Sequence, residues 1–150
     1  MELGALMQAV RTHQASDAWR PAWTQEHWAV LERQLVRRSF AAGELLLSGR
    51  GTDDQVLWVE SGTVQTSVTL VGGARRVALR RAGSIIGEAT LFSDQPAPLR
   101  AEGLGPGVVW SLDRRRVVDL LAHQPVLAAE LLRSAGAVMV TRERDWLVVD

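Results

Sequence analysis

Gly87 and Glu88 stand at a predicted turn from a short strand to a helix, and their types suit binding of a small anion that carries a hydroxyl group. Backbone N–H groups at such a turn can hold an anion, and the carboxylate of Glu88 can accept a hydroxyl hydrogen bond. Ile86 and Ala89 flank the pair. A buried anion also requires an arginine or further N–H donors. In the structural alternative, Glu88 only caps this turn or pairs with the Arg80-Arg81 dipeptide.

Other candidate sites are weaker. The glycine-alternating segment 103–107 precedes a strand and lacks lysine, unlike a phosphate loop. Ser61 has no G-x-S-x-G context, and the neighbouring Glu26 and His27 point apart on a helix, so neither indicates catalysis. Three scattered histidines and the absence of cysteine disfavour a metal site. The sequence predicts a protein that is not an enzyme and carries no metal or cofactor.

Charge and hydropathy narrow the class of protein further. The 150 residues suit one domain, and 17 basic residues balance 17 acidic ones. This balance disfavours direct nucleic-acid binding and a polybasic membrane surface. No apolar run approaches the ~20 residues that span a bilayer, and the N-terminus lacks a signal-peptide pattern. We therefore expect a cytoplasmic protein; all basic residues are arginine, which indicates a GC-rich bacterial genome.

Periodicity divides the chain into three parts of one domain. Residues 1–39 have helical spacing, with Thr24 as an N-cap. Residues 40–113 alternate at period two between glycine turns, which predicts a β-sandwich or barrel. Residues 114–150 are predicted as two helices, the first capped by Asp113.

Alternation also predicts which side chains fill the β region, given a hairpin at the Gly72-Gly73 dipeptide. The residues expected to face its interior are Val64, Val68, Leu70, Val77, Leu79, Val108, Trp110 and Leu112.

Segments 40–64 and 82–97 and the helices after Asp113 together resemble a cyclic nucleotide-binding domain of the catabolite activator/FNR regulator type. Glycines match turn positions of that family at Gly43, Gly51, Gly62, Gly83 and Gly87. The resemblance implies a mainly β fold, an eight-stranded jelly roll (a double-stranded β-helix) with N-terminal helices and a long C-terminal helix. It also implies that residues 83–100 are the phosphate-binding cassette and that Glu88 binds the ribose.

The chain departs from the family pattern at the phosphate. Without gaps, the position of the family's arginine is Ala97, and the next residue is Pro98, which has no N–H group. Arg100 is the alternative phosphate ligand, but using it requires an insertion before it and a compensating deletion. Because an unpaired buried phosphate is costly, we expect no tight binding of cyclic AMP or cyclic GMP.

Three functions remain open at this stage. The first is a regulatory or scaffolding module that has lost the usual ligand and has a small-molecule or protein partner. The second is a true cyclic nucleotide sensor that uses Glu88 and Arg100. The third is the sensing half of a transcription regulator, whose helix-turn-helix domain the resemblance places after the long helix.

The helix predicted from Pro125 to about Trp146 carries two adjacent apolar stripes, one more than packing on its own roll requires. We therefore predict a homodimer through this helix. Its expected contact residues are Leu127, Leu131, Ser134, Val138 and Met139. In the alternative, the N-terminal helices with Trp19, Trp23 and Trp28 fold over the stripe; these tryptophans are predicted packing anchors.

The run Arg114-Arg115-Arg116 is predicted to be solvated or to meet an acidic partner.

Overall fold

The computed structural model describes residues 2–50, 54–95 and 98–147. This part of the chain holds four α-helices, eight β-strands and one 3₁₀ helix. In chain order they are α1 Gly4–Thr12, α2 Gln25–Glu32, β1 Val36–Phe40, β2 Leu45–Ser48, β3 Gln55–Ser61, β4 Val64–Thr69, β5 Arg75–Arg80, β6 Ile85–Ile86, the 3₁₀ helix Glu88–Leu91, β7 Arg100–Gly103, β8 Gly107–Asp113, α3 Arg114–His123 and α4 Pro125–Leu147.

The strands form two antiparallel four-stranded sheets, in the orders β1-β8-β3-β6 and β2-β7-β4-β5. The predicted mainly β jelly roll with N-terminal helices and a long C-terminal helix is confirmed. One boundary differs: β1 begins at Val36, within the segment predicted as helical. Four of the five matched glycines have positive φ angles, and Gly51 lies outside the described residues.

Two hydrophobic layers hold the fold together, one on each face of the first sheet. Leu57 and Val59 point towards the second sheet, where they share a core with residues such as Leu47 and Val64. Val56 and Trp58, the alternate residues of the same strand, point towards the helices. Strand β3 is apolar throughout its middle because both of its faces are covered.

The interior face predicted for the hairpin β4–β5 is confirmed on β4, where Val64 is buried and Val68 faces inwards, but it is wrong on β5. Val64 lies opposite Arg80, and directly opposite residues of an antiparallel pair project to the same face. Val77 and Leu79 therefore lie on the outer face, where they are 44% and 45% exposed. The inner face of β5 instead carries arginines, which places cations inside the roll.

The predicted interior residues of strand β8 are also placed differently in the structure. Trp110 and Leu112 are buried, but in the layer beneath the helices, and Val109 is the residue that faces the interior of the roll. Val108 is half-buried, and Leu70 is exposed beyond the end of β4. Within β8, alternation identified which side chains share a face, but it could not tell which of the two covered faces of the strand that was.

The predicted helix caps are confirmed. Thr24 accepts a hydrogen bond from the His27 N–H through its side chain, and Asp113 does the same from the Arg116 N–H. In the triple-arginine start of α3, Arg114 pairs with Asp54 at 3.2 Å, whereas Arg115 is exposed. None of the helices described is long and apolar enough to cross a bilayer.

The stripe of α4 predicted as a dimer seam is covered by the chain's own N-terminal segment. Leu127, Leu131, Ser134 and Val138 are at most 2% exposed, and the three apolar members share one core with α1, α2 and the tryptophans. The predicted seam is therefore wrong for this structure. Hydrogen bonds to α4 come from the connection between α1 and α2, through Trp19, Ala22 and Trp23. Met139, the remaining predicted seam residue, is half-buried.

Candidate functional site

The cassette turn forms where the sequence predicts it. Strand β6 ends at Ile86, which is buried, and the 3₁₀ helix begins at Glu88. Gly87 between them has a φ of 77°, and a Cβ there would lie 2.9 Å from the carbonyl oxygen of Gln55. Left-handed backbone without space for a side chain requires glycine. This turn aims Glu88 at the space between the hairpin and α4.

A cavity of about 280 Å³ occupies that space. Its walls are the inner face of β4–β5, the cassette and the C-terminal half of α4. The lining residues are Thr66, Val68, Arg76, Ala78, Arg80, Gly87, Glu88, Ala89, Pro98, Leu99, Met139, Arg142 and Glu143. The cavity thus combines apolar walls with charged groups of both signs.

Four charged side chains join three parts of the chain at this cavity: Asp17, Arg80, Glu88 and Arg142, here called the four-charge cluster. Arg142 donates from Nε to Asp17 Oδ2 at 2.8 Å and pairs through Nη1 with Glu88 Oε1 at 2.8 Å. Its third nitrogen, Nη2, donates to the carbonyl oxygen of Ile85 at 2.8 Å. Arg80 Nη1 donates to the same Asp17 oxygen at 2.8 Å.

The four-charge cluster is largely withdrawn from solvent and balances its own charge. Its side chains are between 12% and 17% exposed, and two guanidinium groups face two carboxylates. Burial opposes ionisation of Asp17, but the hydrogen bond and charge of Arg142 and the charge of Arg80 outweigh it, so the pKa of Asp17 lies below its ordinary value. Burial and the nearby charge of Arg142 lower the pKa of Arg80.

The predicted phosphate ligands are not assembled around Glu88. Arg100 lies opposite Ser67 in the second sheet. It is exposed and lines a different cavity, of about 420 Å³, on the outer face of that sheet. Pro98 borders both cavities, and Ala97 lies outside the described residues. The structure therefore brings Glu88, Gly87, Ala89 and Pro98 together and leaves Arg100 apart.

Sequence reasoning missed two members of the four-charge cluster, Asp17 and Arg142. Glu88 was given Arg80 or Arg81 as its structural partner, but its partner is Arg142. One signal was available: Arg142 follows Met139 on a stripe of α4 that is otherwise apolar until that point. Asp17 carried no signal, because its position depends on the packing of the N-terminal segment.

The N-terminal tryptophans are packing residues, as predicted. Trp19 lies 5.4–5.7 Å, ring centre to ring centre, from Trp23, Trp28 and Trp58. Its indole N–H donates to Ser134 Oγ at 2.8 Å. Among the residues with assigned positions, no group of histidine, aspartate and glutamate side chains could hold a metal ion.

Solved structures with this fold come from several bacteria. A cyclic nucleotide-binding domain from Methylobacillus flagellatus is 19% identical, with a TM-score of 0.80 over 96% of this chain and 79% of that one. The N-terminal domain of a transcriptional regulator from Streptomyces coelicolor A3(2) is 25% identical, with a TM-score of 0.66 over 85% and 90%. The Thermus thermophilus catabolite activator protein is 22% identical, with a TM-score of 0.69 over 83% and 57%.

Sequence comparison gives the family directly. No curated protein matches the chain. The profile of the cyclic nucleotide-binding domain matches residues 37–124, which span β1 to the end of α3 and include the cassette. The chain therefore belongs to the cyclic nucleotide-binding domain family.

Proposed function

We propose that this chain is a non-catalytic regulatory module that does not bind cyclic AMP or cyclic GMP in the usual way of its family. The observation that carries the proposal is the pairing of Glu88 with Arg142 at 2.8 Å. The carboxylate expected to accept the ribose hydroxyl is thus already held by a cation of the chain. A nucleotide must break this pair or bind without it.

The phosphate end of a cyclic nucleotide meets a second obstacle. Pro98 borders the cavity and offers no N–H group, while Arg100 lies on the outer face of the sheet. The largely buried Arg80 and Arg142 are already neutralised by Asp17 and Glu88, and the third arginine of the cavity, Arg76, pairs with Glu143 at 4.0 Å. Desolvating a phosphate without a free cation is costly, so the expected affinity is weak.

A true cyclic nucleotide sensor is the second candidate, favoured by the position of the cavity. The cavity lies beside Glu88 and the cassette turn, where the family resemblance puts the ligand. In this candidate, Arg142 releases Glu88 when the nucleotide enters, and Arg100 moves to the inner face.

A third candidate is the sensing part of a transcription regulator. Its support is the likeness to the N-terminal domain of the Streptomyces coelicolor regulator, of which the matched region covers 90%. This candidate concerns what the module controls, and it is compatible with either ligand chemistry.

Calorimetric titration of two variants separates the first two candidates. If Ala97 and Pro98 occupy the phosphate positions, the double change Ala97→Arg with Pro98→Ser should raise the affinity for cyclic AMP at least ~10-fold, about 1.4 kcal/mol. Arg100→Ala should leave binding unchanged, as should the control Arg75→Ala in the same outer cavity. Micromolar binding by the native chain that Arg100→Ala alone abolishes would establish the second candidate and overturn the first.

A further inference from the structure

Asp17 lies outside the β roll and contacts two residues that line the cavity, Arg80 and Arg142. It belongs to the connection between α1 and α2, residues 13–24, and one of its oxygens contacts both Arg80 and Arg142 at 2.8 Å. Asp17 therefore holds the N-terminal segment against both the hairpin and α4.

The position of this oxygen marks an anion site. Two guanidinium groups, only 17% and 12% exposed, converge on one point, and two like charges at this depth are stable only with an anion between them. Among the described residues, Asp17 is the carboxylate within ion-pair distance of Arg80. Arg80 and Arg142 also line the cavity, so a small oxyanion in the cavity can reach the cations that Asp17 occupies.

Asp17 belongs to the segment that packs on α4. Two residues after Asp17, Trp19 packs in the tryptophan cluster and donates to Ser134 on α4. Further along, the Ala22 N–H donates to Glu130 of α4 at 2.6 Å. Loss of Asp17 from the cluster therefore removes one of several contacts that hold this segment on α4.

We propose that Asp17 is a tethered competitor for the anion-binding pair Arg80 and Arg142. A small oxyanion, either a phosphate or a carboxylate, occupies this pair only by releasing residues 13–24 from the site. The inference rests on the proposed function, since it assumes that this cavity is where the module senses its ligand. It adds the ligand's chemical class and the segment that moves when the ligand binds.

The first test asks whether removing Asp17 creates an anion site. Thermal unfolding of Asp17→Asn is followed in inorganic phosphate, sodium acetate or sodium chloride at constant ionic strength. Asp119→Asn is the matched control, because it makes the same chemical change at an exposed residue. Phosphate or acetate should raise the melting temperature of Asp17→Asn and leave the control at its chloride value. The affinity of Asp17→Asn for the anion that acts should be at least ~10-fold higher than that of the native chain. Whichever of the two anions acts identifies the class.

Adding Arg80→Gln to Asp17→Asn should abolish this gain. Equal responses of Asp17→Asn and Asp119→Asn would overturn the proposal. The result is independent of cyclic nucleotide binding, because neither arm contains a nucleotide. Failure here therefore leaves the proposed function standing.

The second test uses the native chain and does not depend on the variant's folding. Hydrogen exchange is measured for residues 13–24 with ~100 mM phosphate or acetate, against chloride at the same ionic strength. Displacement of Asp17 predicts exchange at least ~3-fold faster in this segment with one of the oxyanions, about 0.6 kcal/mol. Unchanged exchange with both oxyanions would contradict the proposal.

Discussion

The hydrogen bond between Trp19 and Ser134 can be tested by removing its acceptor. Trp19 is 1% exposed and Ser134 is 2% exposed, and the indole N–H lies 2.8 Å from Ser134 Oγ. Ser134→Ala leaves this donor buried without its partner. A stranded buried donor costs about 1–3 kcal/mol, so we expect the free energy of unfolding to fall by about 2 kcal/mol. At this chain length that lowers the melting temperature by roughly 4–8 °C.

The measurement is urea unfolding followed by circular dichroism for the single variants Ser134→Ala and Trp19→Phe and for the double variant. Thr141→Ala is the matched control. Ser134 and Thr141 each donate to the carbonyl oxygen four residues earlier, at 2.7 Å and 3.0 Å, but Thr141 does not accept a hydrogen bond from this indole. In the Trp19→Phe background there is no indole donor to strand. Ser134→Ala should then cost no more than about 0.5 kcal/mol, which gives a coupling of at least about 1 kcal/mol.

The reasoning is refuted if Ser134→Ala costs the same in both backgrounds, or if it costs no more than Thr141→Ala. Either result would mean that the N-terminal segment is not held on α4 by this bond.

Three further predictions follow from burial, backbone geometry and charge. Gly87→Ala should destabilise the chain by at least about 2 kcal/mol, whereas Gly43→Ala, with the same positive φ but nothing within 4 Å, should cost only the backbone strain of about 1–2 kcal/mol. Leu79→Ala should cost under about 1 kcal/mol and Leu57→Ala about 2–5 kcal/mol, because Leu79 is 45% exposed and Leu57 is fully buried; both pairs are measured by denaturant unfolding. The pKa of Asp17 is lowered in the folded protein. The contribution of Asp17 to folding stability is therefore complete above the ordinary pKa of aspartate and is lost as pH falls through the lowered value. In an acid titration, the stability of Asp17→Asn should fall less steeply than that of the native chain.

Local signals in the sequence were sufficient for the two helix caps and the glycine turn after β6; the resemblance identified that turn as the cassette. Thr24 and Asp113 begin helices because their side chains satisfy free N–H groups. The cassette turn has glycine at position 87 because the backbone φ there is positive. These features depend on a few neighbouring residues. For that reason they could be predicted without knowing the tertiary packing.

The faces of the sheet and the cluster around Glu88 could not be predicted in this way. Strand β3 is buried on both sides, so alternation does not distinguish the two cores. The contact between Asp17 and Arg142 joins residues 125 positions apart and depends on how the N-terminal segment lies on α4. The same packing covers Leu131 and Val138, which an isolated helix pattern assigns to a second copy of the chain.

Isothermal titration of cyclic AMP and cyclic GMP into the native chain tests the central claim most directly. With Glu88 and the two buried arginines already paired within the chain, we predict no saturable heat for either nucleotide up to ~100 μM. A dissociation constant below ~10 μM for either one would contradict the account.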